Sequence, residues 1–492
     1  TGRRKLVKGR RARYNESGVS LAGEGDISRQ TGGQEETGVC PPEDGNGFGK
    51  AEMTMAEARR IDCGIIGGGA AGLAAAVFLW GLSGGTLSAA VFEKGPRVGK
   101  KLLATGNGTC NLSNIQAAVP HYHGADPAFA GPALKAFPPS AAVDFFTSIG
   151  VECRQRENGR IYPLCAQSGA VLDCLRLAAA ASGAREECGG TVTAILPQKD
   201  GFLLKREEGD VPVRRVLVCA GGAASPALGG SADGYGLLTA LGHTRTPLFP
   251  SIVQVKTAVD YVKAVKGVRV DAEVRFERDG RETARETGEV LFTEYGLSGP
   301  AVMQISRCVA DWERRRAGEM TAVLNLLPEW TEEEVLASLR RRAALPERAV
   351  ADLLTGLLQK RLGQTILRSA GYTDWDMPVS VLRENDLRRI AAEITAWRLP
   401  VKGTQGMGGA QVTAGGIATK EFDPRTMESR KVPGLYAAGE VLDIDGDCGG
   451  YNLQWAWASA HAAAAAIAES LGGEHHERCE RRKQPERKRD KR

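Results

Sequence analysis

A chain of 492 residues with 42% hydrophobic and 25% charged content has the composition of an ordinary soluble protein, with room for two or three domains around a large core. The net charge of +5 sits at the ends: residues 1–13 carry seven Arg or Lys and no acid, and the last twenty carry nine basic and five acidic side chains, so the middle is about −6. That balance argues against a nucleic-acid face on the folded body, and no window holds the eighteen uninterrupted apolar residues of a membrane helix.

Residues 1–58 read as a disordered leader rich in Gly, Glu, Arg and Ser, without the apolar core of a secretory signal. Met53 and Met55 stand just ahead of the first strand, so residues 1–52 read as an extension. Residues 473–492 read as a charged, disordered tail. Eleven cysteines without any Cys-x-x-Cys pair point to a reducing cytoplasm and to no metal site.

The first ordered stretch is an apolar strand, 61–66, running into Gly67-x-Gly69-x-x-Gly72 and an alanine-rich helix. In this pattern the glycines allow the tight turn, the approach of a pyrophosphate and close packing of the helix. A second strand, 87–92, ends in Glu93, about twenty residues past the last glycine, where a dinucleotide site places its ribose-binding carboxylate. The expected cofactor-binding set therefore opens with Gly67, Gly69, Ala71, Gly72 and Glu93. After it comes a Gly-, Asn- and Lys-rich run, 94–114, too irregular for a regular element. In it Lys100 and Lys101 can approach a pyrophosphate, Asn107, Asn111 and backbone neighbours such as Gly108 can hydrogen-bond a heterocycle edge or sugar chain, and Lys94 joins the expected cofactor-binding set.

The combination Gly67-x-Gly69-x-x-Gly72, Glu93-Lys94, Gly99-Lys100-Lys101-Leu102 and Thr105-Gly106-Asn107-Gly108-x-Cys110-Asn111 resembles the aminoacetone-oxidase-like (BaiN/YhiN-type) flavoproteins. The resemblance implies FAD on an α/β, Rossmann-like domain of the two-dinucleotide-binding-domain flavoprotein type, with an inserted antiparallel β-barrel-like and helical region. It runs from about residue 61 to 471. The domain boundaries expected are 59–247 and 406–472 for the two FAD-binding segments and 248–405 for the insertion, which would shape the substrate cavity.

Further along, helices are expected over 133–149 and 168–181. Arg160-Ile161-Tyr162-Pro163 between them resembles the family's Arg-aromatic-aromatic-Pro turn, with Ile161 in place of an aromatic. A hairpin over 191–206, carrying Val192, reads as the flap that such flavoproteins lay over the adenosine. The strand 213–219 delivers Ala220 and Gly221 to the cofactor. Asp233 reads equally well as a helix cap. In the insertion, strands are expected at 251–256, 267–277, 289–292 and 320–326, with a helix opened by 293–300 and helices at 331–344, 346–358 and 359–369. Glu294 and Tyr295 are candidate proton donors, although a turn role is favoured for them. Gly406-x-Gly408-x-x-Gln411 lacks the third glycine of a second fingerprint, so any NAD(P)H is expected to dock transiently.

Strand 434–438 leads to Gly439-Glu440, where the acid can accept hydrogen bonds from ribityl hydroxyls. Asp443, Asp445 and Asp447 lack the spacing of a calcium loop and read as a solvated turn. Gly450, Tyr451, Asn452 and Leu453 then begin the last helix, running to about residue 469. Its N-terminus can stabilise negative charge on a reduced flavin, and Tyr451 is a third candidate for the chemistry.

The reading is an FAD-dependent oxidoreductase moving a hydride between flavin N5 and a small organic substrate, by enone or steroid-ketone reduction or by amino-ketone oxidation. NAD(P)H is a possible donor. A fumarate-reductase-like dehydrogenase or a flavin monooxygenase is the first alternative. A flavin-binding protein whose tails recruit RNA or partners is the second. No specific nucleic acid and no membrane are expected as partners, and the sequence leaves the oligomeric state open.

Overall fold

The computed structural model describes residues 60–483, apart from 317 and 346, with the side chains of 473–483 outside the description. The leader at 1–58 and most of the tail at 473–492 therefore lie outside the described residues. Strand Ile61–Ile66 is buried at five of its six positions, as a strand covered on both faces requires. It pairs in parallel with Ala89–Glu93 on one side and Val211–Val218 on the other. Arg185–Cys188 extends one edge in parallel, and Leu435–Ala437 adds in parallel beside Val211–Val218. Helix Ala70–Leu82 makes the crossover from the first strand to the second, and it lies along the final helix, Tyr451–Lys483. Both helices are alanine-rich, which lets their backbones approach closely.

The hairpin Val192–Gln198 and Gly201–Arg206 forms where expected, but not as a separate flap. Its second strand pairs antiparallel with Val211–Val218, so it completes the edge of the same seven-stranded sheet.

A second core lies inside a closed antiparallel barrel of six strands: Val255–Thr257, Arg269–Arg278, Arg281–Phe292, Gly296–Ser298, Met320–Asn325 and Trp397–Thr404. Alternation drives it. In Trp397–Thr404 the residues Trp397, Leu399 and Val401 point inward while Arg398, Pro400 and Lys402 face solvent. Closure leaves no free edge. Helices Pro300–Arg315, Glu332–Ala343, Lys360–Ser369 and Glu384–Thr395 surround it.

Several expectations need correction. The single helix over 133–149 is two, Gly131–Ala136 and Pro139–Ser148, because consecutive prolines at 138 and 139 cannot continue the first. The run 94–114 contains a short helix, Lys100–Ala104. Among the described residues of 346–358 there is no α-helix; one 3-10 turn, Val350–Asp352, forms there, and Gly356 has φ +81°. Helix Glu384–Thr395 and strand Trp397–Thr404 had no counterpart in the sequence reading. The last helix runs past 469 to Lys483.

Candidate cofactor and active site

The fingerprint turn is built around Gly67. Its φ is +108°, and a Cβ there would stand 2.4 Å from the carbonyl oxygen of Cys219. Only glycine fits, and the consequence is that the strand end at 219–221 can lie directly against the turn. Ala220 and Gly221 are thereby brought beside Gly67. Gly72 is packed against the Gly67 carbonyl, which fuses turn and helix. Gly69 faces the other way, with no atom within 4 Å of its Cβ position, and no side chain caps helix Ala70–Leu82. The turn thus offers an open side and uncapped N–H groups, the requirements of a pyrophosphate site.

Glu93, at the end of the neighbouring strand, is locked to this turn. One carboxylate oxygen accepts from Gly68 N–H at 2.9 Å and the other from Gly95 N–H at 2.7 Å. Gly189 N–H donates to the carbonyls of both Glu93 and Gly95, which carries the chain to buried Val192 beside them. Lys94 does not join this group: its ammonium pairs with Asp233 at 2.7 Å, and Asp233 accepts from Ser231 as well. Lys100 is exposed at the start of its short helix. Lys101 goes further, bonding the Glu440 carboxylate at 2.8 Å, while the other oxygen of Glu440 accepts from Thr413 N–H at 2.8 Å. One carboxylate therefore ties together three segments far apart in sequence. Gly439 is pinned below it, donating to Ser459 Oγ and accepting from Trp455 Nε1, and it stands beside Ala71.

The two halves also meet closely at Gly450. Its φ is +101°, and a Cβ would fall 2.3 Å from Ser113 O and 2.9 Å from Asn111 Oδ1. That Asn111 oxygen is buried and has no hydrogen-bond partner. The terminal helix makes its first internal bond from Gln454 N–H to Gly450, leaving the N–H groups of Tyr451, Asn452 and Leu453 without intrahelical acceptors. Asn452 uses its side chain elsewhere. Its amide binds both backbone groups of Gly446 and the Asp447 carbonyl, so its side chain is spent within the loop before the helix. Leu453 packs against the main core. Asn107 and Gly108 form a left-handed turn, at φ 54° and 84°, on the rim.

The sequence reading of 443–447 as a solvated turn is overturned. Asp443 and Asp445 are 3% and 0% exposed. Asp445 receives Arg307 from the barrel-side helix at 3.1 and 3.3 Å, and its strand pairs antiparallel with His123. Burial raises the Asp443 carboxyl above its ordinary pKa range. Asp447 holds two histidines, His121 Nδ1 at 3.0 Å and His123 Nε2 at 2.8 Å. Burial works to raise the Asp447 carboxyl, but the hydrogen bonds from His123 and His121 outweigh it and hold the group below the usual range. His121 stacks on Tyr451, centroids 4.6 Å apart, and Tyr122 Oη donates to the Tyr451 carbonyl at 3.0 Å. These histidines were missed. Their signal was the i, i+2 spacing of two of only six histidines, which sets both on one face of an extended segment.

Glu294 is not drawn into this group. It is 63% exposed and paired with Lys266 at 2.6 Å, which holds its carboxyl below the ordinary range. Tyr295 is half-buried in the same barrel turn, where its carbonyl accepts from Thr257 N–H. Of the three proton-donor candidates, only Tyr451 stands at the cradle.

The residues present fit FAD. The open side of the fingerprint and Glu93 suit the adenosine diphosphate half. The unpartnered Asn111 oxygen at Gly450 is an acceptor lacking a donor, matched to an N–H on the pyrimidine edge of a flavin ring.

The family model described as HI0933-like protein Rossmann domain matches residues 61–466. The 3-dehydro-bile acid delta(4,6)-reductase of Clostridium scindens is 37% identical over 409 residues, covering 82% of this chain and 98% of that protein. The ribosomal RNA dihydrouridine synthase of Escherichia coli is 33% identical over 410 residues, covering 82% and 97%. Among solved structures, 3-ketosteroid delta1-dehydrogenase from Sterolibacterium denitrificans aligns at 13% identity and TM-score 0.44, covering 84% of this chain and 100% of that one.

Proposed function

Because this chain belongs to the HI0933-like Rossmann family of FAD-dependent oxidoreductases, we propose that it saturates a carbon–carbon double bond conjugated to a carbonyl. The named reactions of its relatives share that chemistry. A delta(4,6) bond of a 3-oxo steroid is conjugated to the ketone, and uridine becomes dihydrouridine by gaining two hydrogens across the ring bond conjugated to its C4 carbonyl. Bound FAD would supply the hydride, with NAD(P)H as its transiently docked reductant.

The protein's own residues bind, orient and supply protons. Gly67, Gly69, Ala71, Gly72 and Glu93 would hold the adenosine half, with Val192, Ala220 and Gly221 alongside. Gly439 and Glu440 would hold the middle, and Asn111, Gly450 and the free N–H groups of 451–453 the ring. The N-terminus of the terminal helix contributes about 0.3–1 kcal/mol toward negative charge there, up to ~2 when partly buried. Residues 248–405 would close the substrate side, with Arg307 fastening the barrel helix to Asp445.

The observation that carries the reading is the buried Asn111 oxygen without a donor, set against Gly450 where the two halves meet. The test is anaerobic: FAD-loaded protein bleached by NADPH or dithionite should regain its colour on adding a 3-oxo-4-ene steroid or a uridine-containing RNA. Whichever of the two restores the colour names the substrate class. Recovery with neither, and turnover only of amino-ketones with oxygen, would refute the reductase reading.

A further inference from the structure

We propose that the imidazoles of His121 and His123, clamped together on the single Asp447 carboxylate, are the proton source for the carbon next to the substrate carbonyl. The proposal rests on the reductase reading above. Saturating a conjugated double bond adds a hydride, with its electron pair, to the far carbon; the electrons of the double bond move toward the carbonyl. The near carbon then needs a proton, and the donor must be an acid at the cradle.

Few groups there qualify. Asp445 is bound by Arg307, and Asp443 accepts from Ala125 N–H in the buried loop. Cys448 is half-buried, with its thiol pushed up by burial, and its own N–H is spent on Gln304. Burial and the Asp447 charge also raise the Tyr451 phenol, and Arg160 opposes them. The two histidines differ from all of these. They are 35% and 36% exposed, so a proton can reach them from water, and they sit beside Tyr451, one residue from Gly450.

Each imidazole spends one nitrogen on Asp447. His121 Nε2 and His123 Nδ1 make no hydrogen bond to any described residue, which leaves one nitrogen of each ring free to give a proton outward. Asp447 is 17% exposed, and the hydrogen bonds from His123 and His121 hold its carboxyl below the usual range, so both rings stay fixed on one carboxylate. The groups facing it are His121 and His123 from the 119–123 segment, Tyr122 between them, Arg160 from strand Arg160–Pro163, and Cys448 and Tyr451 from its own side. Two rings on one carboxylate, wet on the outside and dry on the Asp447 side, make a rechargeable acid rather than a mere strut.

The test uses FAD-loaded protein reduced with dithionite and mixed anaerobically with a 3-oxo-4-ene steroid or a uridine-containing RNA, whichever the wild type consumes. The rate of colour return is read for wild type, Asp447→Asn and the double variant His121→Gln/His123→Gln. The double variant should lose about 100- to 10,000-fold, the span of a positioned general acid, and added imidazole should restore part of it. FAD affinity, read by quenching of flavin fluorescence, should change by less than about twofold, since the proton source acts in the transition state and not in cofactor binding. Should Asp447→Asn fail to fold, the double variant carries the test alone. Wild-type rates in the double variant would overturn the proposal, and so would a loss matched by weakened FAD binding and untouched by imidazole. A wild type that binds FAD but consumes neither probe would end the reductase reading and this proposal with it.

Discussion

At the scale of single residues the site depends on positions where one atom more or less decides the outcome. Gly67→Ala forces a Cβ into the Cys219 carbonyl at a φ that side chains avoid, a strain of about 1–3 kcal/mol. The variant should lose FAD from the purified protein, seen as a lower ratio of flavin to protein absorbance; full retention would contradict the fingerprint geometry. Glu93→Gln removes the charge that binds two turn N–H groups and would bind a ribose. FAD should dissociate more readily by about 1.5–3 kcal/mol, the worth of a hydrogen bond to a charged group, measured by titrating apoprotein with FAD. Asp447 gives the pH test. Its folded-state pKa is depressed, so it contributes stability above its unfolded value, near ~3.9, that is lost as the pH falls through the folded value. Denaturant unfolding should show Asp447→Asn less stable than wild type at pH 7 by about 1.5–3 kcal/mol, with the gap closing in strong acid. A gap unchanged down to the acid limit would contradict the hydrogen-bonded Asp447–histidine cluster.

The glycine turn at Gly67 and the strand ends that carry Glu93 and Gly439-Glu440 were legible in the sequence because their spacing carries a mechanism. The roles of Lys94, Lys101 and Asp447 were not, because each depends on a partner more than a hundred residues away. A run of aspartates reads as solvated until Arg307 and two histidines arrive to cover it.

Among the elements, the terminal helix matters most for function, since its free N–H groups and Gly450 present the backbone itself to the ring. Gly450→Ala places a methyl 2.3 Å from Ser113 O and should cut FAD affinity by at least about tenfold, about 1.4 kcal/mol, measured as above. The barrel is an element of stability. Trp397 is fully buried beside Phe292, and its ring N–H donates to Ser369 Oγ at 3.2 Å. Trp397→Ala should cost about 3–5 kcal/mol in denaturant unfolding, and a loss under ~1 would mean the barrel core is not packed as described. The main strands and the first helix could be read directly, because their apolar runs and glycine turn are strong local signals. Helix Glu384–Thr395 carried an equally clear stripe, Leu387, Ile390, Ala391 and Ile394, and was overlooked because no glycine or proline punctuates its start. The helix expected over 346–358 shows the opposite error: its apolar content reads as helix, but the chain turns through Gly356 inside the segment.

For the molecule as a whole, the sheet carries the fingerprint and the chain returns some 370 residues later, with Gly439 beside Ala71 and Gly450 against Ser113. Among the described residues no helix is long and apolar enough to cross a membrane. The sequence anticipated the two-part cofactor domain and the barrel-like insertion, since family motifs mark both cofactor segments. It did not anticipate the histidine–aspartate cluster, which exists only once the 119–123 and 443–448 segments pair. The central claim is that both segments close on one flavin, and the direct measurement is the FAD content of the protein purified without added cofactor and again after incubation with excess FAD. The account predicts a yellow protein holding about one FAD per chain, released by Gly67→Ala or Gly450→Ala. A colourless protein that takes up no FAD when supplied would contradict it.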